Sequence, residues 1–326
     1  MSYKAIAKMC ETTVSTVSKA FHDSPEISGK TKEKIFKAAK SLGLFDKYYT
    51  GKREKKLIGI ICPEPESETY GMLVGNIERF LYENDAESLI GISRFDDKRK
   101  AALYSELIYG ARADGIIVIG SNTGLKNPDN IPTVFIKETS DRNLPETDIA
   151  VNVYETMEEL VCFLKNQGYR QIGFIGEKLT QGRLRDFKSA MRKEGLPLLN
   201  KYIYVAENVR FAEAGIEGMN SFIKNGKIPE VIITAYDNIA FGAMKAAKEN
   251  GISVPNDVSF IGINDITPSE YMDVPLSSIE TNYAEVAKTA AEVLLSKIDK
   301  KYKKADKQGL LIPAKLNLRK SVKVKN

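Results

Sequence analysis

The side chains that could do chemistry in this sequence are few and unevenly placed. It contains one histidine, His22, at the end of a short helical pattern. A histidine there is more often a cap or a phosphate contact than a catalyst. Without a second histidine, no Ser/His/Asp set can be assembled in the rest of the chain. No P-loop and no Gly-x-Gly-x-x-Gly fingerprint occurs. The Asp96-Asp97 pair lies in a charged run that reads as a solvated turn. Cys10, Cys62 and Cys162 are odd in number and widely spaced, which fits neither a disulfide framework nor a zinc site. The sequence therefore predicts no catalytic residue, no metal and no cofactor, and the chain is not expected to be an enzyme. What remains is recognition chemistry. Val14, Ser15, Ser18 and Lys19 fall off the apolar face of a helical pattern near the N-terminus. Serine and lysine can reach base edges or phosphates, and valine can pack on a thymine methyl. Lys4, Lys30, Lys32 and Lys34 are placed for phosphates.

Three helical patterns position those residues. Ile6, Ala7 and Cys10 form one apolar face, Val17, Ala20 and Phe21 a second, and Ile35, Ala39 and Leu42 a third. Thr13 and Ser28 stand where hydroxyls would take up the free N–H groups of the second and third helices. Helix, short turn, helix is helix-turn-helix geometry, with the second helix entering the major groove. The pattern alone fits a small solvated three-helix domain equally well. Residues 46–56 are polar, basic and without apolar periodicity, as a linker would be.

Beyond the linker, apolar runs alternate with helical patterns. The runs are 57–62, 88–92, 115–120, 133–136, 172–176, 231–234 and 260–262, with a last strand at 309–314. Short apolar runs without alternation fit strands buried on both faces. Their alternation with helices predicts an α/β fold with two doubly wound parallel sheets. The expected division is a head at 1–45, the linker at 46–56 and a body at 57–326. Lobe one of the body takes about 57–150 plus 284–326, and lobe two about 151–283. Two facing sheets would put one ligand in the cleft at the carboxyl ends of their strands.

Charge follows the same division. Residues 1–56 carry 13 Lys and Arg against 6 Asp and Glu, residues 57–296 carry 24 against 35, and the last 30 carry 11 against 2. The head can face a polyanion and the acidic body as a whole cannot. The basic tail reads as a solvated strand and a frayed end. No apolar run reaches about 18 residues, and no signal segment opens the chain, so a cytoplasmic protein without membrane contact is expected.

The wording of the head is more specific than its periodicity. Ile6-Ala7, Val14-Ser15-Thr16-Val17-Ser18-Lys19-Ala20-Phe21 and Ile27-Ser28-Gly29-Lys30-Thr31-Lys32-Glu33-Lys34-Ile35 closely resemble the head of LacI/GalR regulators. The resemblance runs over nearly the whole chain, through Asp114–Val118, Ile172–Gly176, Arg183–Phe187, Val254–Gly262 and Pro275–Ile279. It implies a helix-turn-helix head joined to a two-lobed sensor like periplasmic sugar-binding proteins, with the ligand between the lobes. It places Val14, Ser15 and Lys19 on bases, and Ser2, Thr13, Thr16 and Ser18 near phosphates, with His22 beside them. In the cleft it implies Arg183 and Asn264 on ligand hydroxyls, with Tyr236 and Lys137 also facing the ligand. From the first lobe, Glu66, Ser67 and Tyr70 would face it as well. Arginine, asparagine and tyrosine offer fixed donors and acceptors to hydroxyls, and tyrosine can cover an apolar sugar face. Asp237 and Asp265 read as turn or cap residues.

Two departures stand out. Glu11 occupies a turn position where the family usually has glycine, so a left-handed turn there would cost about 1–2 kcal/mol. The segment after the third helix, Leu44-Phe45-Asp46-Lys47-Tyr48-Tyr49-Thr50-Gly51, is shorter than the family's hinge and has no leucine at the minor-groove wedge position. Tyr48 or Tyr49 stands there, as a substitute wedge or as a solvent-exposed linker residue.

The expected function is repression of a carbohydrate-utilisation operon by a homodimer bound to double-stranded operator DNA. A small sugar in the cleft would switch operator affinity. A purine ligand stays open, as does a solute-binding protein of the same fold, though the head argues against the latter. The tail lacks an apolar heptad, so no tetramer through a C-terminal coiled coil is expected.

Overall fold

The computed structural model describes residues 3–21, 24–45, 55–120, 122–123, 125, 131–138, 148–300 and 309–324. The chain divides into two units, Met1–Lys56 and Leu57–Asn326.

In the first unit, α1 (Tyr3–Met9), α2 (Val14–Phe21) and α3 (Gly29–Ser41) enclose Ile6, Ala7, Cys10, Val17, Ala20, Phe21, Ile35, Ala38, Ala39 and Leu44. The apolar spacing draws these residues inward. Phe21 is tilted against Phe36 and Phe45, with ring centroids 5.3 and 6.1 Å away. The helices start where their hydroxyls allow. Thr13 Oγ1 accepts from the Thr16 N–H at 3.0 Å, and Ser28 Oγ accepts from the Thr31 N–H at 3.3 Å. The turn between α1 and α2 runs through Glu11 at φ +52°, a left-handed conformation that favours glycine.

The second unit is α/β with two six-stranded sheets, and its strands match the sequence expectation mainly where they are apolar throughout. Sheet one contains β1 (Lys56–Cys62), β2 (Ala86–Ile92), β3 (Gly115–Ile119), β4 (Thr133–Glu138), β5 (Asp148–Asn152) and β11 (Leu310–Pro313), in the order β11-β5-β4-β3-β1-β2. Sheet two contains β6 (Ile172–Glu177), β7 (Ile203–Ala206), β8 (Val231–Thr234), β9 (Ser259–Asn264), β10 (Ser277–Glu280) and β12 (Lys315–Asn317), in the order β12-β10-β9-β8-β6-β7. The described pairings are parallel except β12 on β10. Helices α4 (Glu68–Glu83) and α11 (Tyr283–Ile298) pack together on sheet one. Helices α8 (Phe211–Lys224) and α9 (Asp237–Glu249) pack together on sheet two. Their seam is glycine to backbone: a Cβ on Gly242 would lie 1.8 Å from Ala212 O, and one on Gly215 would lie 1.9 Å from Ile239 O.

Among the described residues the chain crosses between the lobes three times. It passes from β5 into α6 (Val153–Asn166), from β10 into α11, and from β11 into β12 across Ala314. The last crossing corrects the expected division, which put all of 284–326 in lobe one. Residues from Lys315 onward belong to lobe two, because β12 pairs with β10 and the tail is tied to that sheet. Ser321 Oγ donates to Phe260 O, and Tyr169 Oη donates to Lys323 O at 2.7 Å.

Candidate functional site

On α2 the residues off the apolar face are presented to solvent. Thr13, Val14, Ser15 and Lys19 are exposed, and Thr16 and Ser18 are half-buried beneath them. Val14 keeps 42% of its surface accessible, which packing within the head does not require. Lys19 forms an exposed ion pair with Glu26, a contact worth little in water and open to exchange for a phosphate or base edge. Ser2 and His22 lie outside the described residues, as do Tyr48 and Tyr49 of the linker.

In the body, the carboxyl ends of β1, β3, β4, β6, β8 and β9 converge on a cavity of about 240 Å³. Six of the seven expected ligand residues line it: Ser67, Tyr70, Lys137, Arg183, Tyr236 and Asn264. The seventh, Glu66, does not. It is solvent-exposed, and Arg94 Nη1 donates to it at 2.8 Å and holds its carboxyl below the usual range. Glu64, two residues earlier, takes the inward place and is nearly buried.

Arg183 stands in the first turn of α7 (Gln181–Lys193), which follows β6 after a short 3₁₀ turn. One end of its guanidinium donates to Ala235 O and the other to Asn264 Oδ1, at 2.8 Å for the latter. Asn264 also accepts from Tyr283 Oη at 3.1 Å and donates to Thr69 Oγ1, on α4 of the opposite lobe, at 2.8 Å. Its φ is +105° and that of Asp265 is +52°, two successive left-handed residues where β9 ends. Such strain costs about 1–3 kcal/mol per residue and concentrates at binding sites. Asp265 is held by the fork of Arg319 and by Asn317, and does not line the cavity.

A second polar group is one the sequence does not single out. Arg210, the residue before α8, donates from both terminal nitrogens to Glu64 at 2.6 and 2.9 Å, and from Nε to Glu177 Oε1 at 2.9 Å. Glu177, at the end of β6, also accepts from Tyr236 Oη at 2.7 Å. Burial and the adjacent Glu177 carboxylate push the Tyr236 phenol well above its ordinary pKa, so it stays a donor. The two carboxylates hold the Arg210 guanidinium charged. The available signal was a charged residue beside a strand end: Glu64 follows β1, and Glu177 closes an apolar run.

Asp237, next to Tyr236, points away from the cavity into lobe two. Its carboxylate accepts from Ser278 Oγ and from the Ile266 N–H at 2.8 Å. Burial pushes its pKa up to about 7. It is the structural turn residue the sequence suggested. Among the described residues, no group of three or more His, Cys, Asp or Glu could hold a metal ion, and no helix is long and apolar enough to cross a membrane.

This is a two-lobed binding-protein fold with its cavity between the sheets. A model of the periplasmic binding protein-like domain matches residues 161–322. A ribose operon repressor from Haemophilus influenzae is 26% identical over 90% of this chain and 91% of its own length. The transcriptional repressor PurR from Actinobacillus pleuropneumoniae is 27% identical over 98% of both. Among solved structures, the Lac repressor dimer bound to operator and an anti-inducer superposes with a TM-score of 0.73 at 20% identity, covering 98% of each chain. Over nearly its whole length the chain is thus similar to transcriptional repressors of the LacI/GalR kind. Both of these sequence relatives are repressors, not enzymes.

Proposed function

We propose that this regulator is a cytoplasmic, homodimeric repressor whose head binds a palindromic operator, and whose operator affinity is set by a small sugar in the cleft. What carries the reading is the presence in one chain of two recognition surfaces. One is the exposed row Val14, Ser15 and Lys19 on α2. The other is a cavity whose donors and acceptors, Arg183 and Asn264 above all, are already held in fixed geometry. The first surface suits base edges and a thymine methyl. The second suits ligand hydroxyls, whose affinity gains from groups that need no reordering. Binding at the two surfaces is coupled reciprocally.

A second ligand class is favoured by the aromatic lining. Tyr70, Phe95, Phe211 and Tyr236 all border the cavity, and their faces could cover a purine as well as a pyranose. A thermal-shift screen of sugars, sugar phosphates and purines separates the two. Anisotropy titrations of operator duplex with and without the hit then test the coupling. The expected result is a salt-sensitive preference for one palindrome over random duplex, changed severalfold by the hit. Arg183→Lys, which cannot reach Ala235 O and Asn264 together as a fork, should abolish the thermal shift. No preference for any palindrome would end the repressor reading, and a hit without effect on DNA would end the coupling.

A further inference from the structure

Arg210 joins the two lobes. Glu64 belongs to lobe one, just after β1, while Glu177 and Arg210 belong to lobe two. The guanidinium therefore carries a bidentate bond across the cleft and a third bond within its own lobe. Its faces meet two aromatic rings, Phe211 at 4.5 Å and Phe95 of lobe one at 5.6 Å. Both phenylalanines sit in the left-handed region, at φ +55° and +58°. For bulky side chains that conformation is a true outlier, held only where the surroundings over-determine it. Two strained backbones from opposite lobes thus present rings to one cation. The side chains of Glu64 and Glu177 are 7% and 2% accessible, and that of Arg210 is 34% accessible.

We propose that Glu64, Arg210 and Glu177 form an interlobe latch, by which the protein's own side chains hold the cleft closed. This regulates the site read above as the ligand cleft, and it depends on that reading only for its purpose. The physical case is asymmetric. A partly buried guanidinium between two carboxylates gains modestly from being there. Removing it leaves two nearly buried carboxylates facing each other, and the simplest relief is for the lobes to part and hydrate them. Asn264 also bridges the lobes at this cavity, donating to Thr69 Oγ1 and accepting from Tyr283 Oη, and these bonds join neutral groups. The latch therefore dominates the closed state, and any ligand that reorganises Arg210 changes the lobe angle.

Hydrogen exchange on the full chain, without added ligand, tests this. The segments to follow are 63–70 and 93–95 in lobe one and 209–213 in lobe two. Arg210→Gln should raise exchange about tenfold or more in all three together and leave the sheet interiors unchanged. Glu64→Gln removes only the cross-lobe part, should open the same lobe-one segments, and serves if Arg210→Gln folds poorly. The double variant should not exceed Arg210→Gln alone in the lobe-one segments, since both substitutions break one contact and the second also removes a facing carboxylate. Acceleration confined to 209–213 would make Arg210 a local anchor of Glu177 and overturn the latch. So would unchanged exchange in both variants, or additive effects in the double. Because no ligand enters the experiment, a cleft that never yields a ligand would refute the function above and leave this result standing.

Discussion

Replacing Gly242 by alanine should destabilise the body, although alanine is the better helix former by about 1 kcal/mol. The added methyl would lie 1.8 Å from Ala212 O and 2.6 Å from Ala212 C, and both are backbone atoms with no rotamer to escape into. Reaching ordinary contact at 3.4 Å means separating α8 from α9 by about 1.6 Å. A gap of about 1 Å already forfeits up to half of a dispersion contact, and the two helices pack along their length. Overpacking costs about 1–3 kcal/mol, and a backbone-to-backbone clash belongs at the upper end. After the helix-propensity gain, about 2 kcal/mol of destabilisation remains, a fall in Tm of about 4–8 °C. The control is Gly75→Ala. It lies on an exposed face of α4 with nothing within 4 Å of its virtual Cβ, and should stabilise by about 0.5–1 kcal/mol. Thermal unfolding followed by circular dichroism reads both. The signs should be opposite, and a Gly242→Ala protein as stable as the parent would refute the steric argument. The clash also reaches function, because Ala212 lies two residues from Arg210 and α9 begins beside Tyr236. Exchange in 209–213 should therefore rise even where the fold survives.

Three further perturbations have defined outcomes. Glu11→Gly removes a left-handed cost of about 1–2 kcal/mol and adds some unfolded-chain entropy, so amide protection in the head should rise severalfold; lower protection would mean the side chain stabilises the turn. Lys19→Ala should weaken binding to the preferred palindrome about tenfold and binding to random duplex much less, in anisotropy titrations. An equal loss on both, with a shallower salt slope, would move Lys19 from a base to a phosphate. Asp237 has a folded pKa of about 7, above its ordinary 3.8, so its neutral form is the one the fold prefers. Its contribution is present at low pH and lost as pH rises from about 4 through 7, with a slope of at most about 1.4 kcal/mol per pH unit, opposite in sign to a salt-bridged carboxylate. Asp237→Asn should flatten that part of the stability–pH curve, and a parallel curve in urea titrations would refute the assignment.

The sequence made the architecture readable where burial and apolarity coincide. Strands β1, β3, β6 and β8 are buried on both faces and announce themselves as unbroken apolar runs. Strand β10 did not, because Ser277 and Ser278 are fully buried polar residues. Their hydroxyls donate to Arg319 O and Asp237, partners that only the folded tail and α9 bring near. Strand β7 is an edge of four residues, and β12 alternates lysine, leucine and asparagine, so neither carries a buried-strand signature. In the site, residues just after a strand were legible through the rule that ligands gather at carboxyl ends. The choice between Glu64 and Glu66 was not. Both flank Pro65, and the outcome depends on Arg94 capturing one and Arg210 the other from 28 and 146 residues away. Arg210 itself is unremarkable in sequence and acquires its role only through two glutamates on different lobes.

The last crossing has a consequence for how the body is made. Each sheet receives its final strand from a stretch of eight residues, Leu310–Asn317, near the end of the chain. On a ribosome, neither lobe is complete until that stretch emerges, however early its other strands appear. The two halves are thus finished in one event. A frameshift or nonsense codon near residue 309 would strip an edge strand from both sheets at once, newly exposing β5 and β10 and leaving no intact half to salvage.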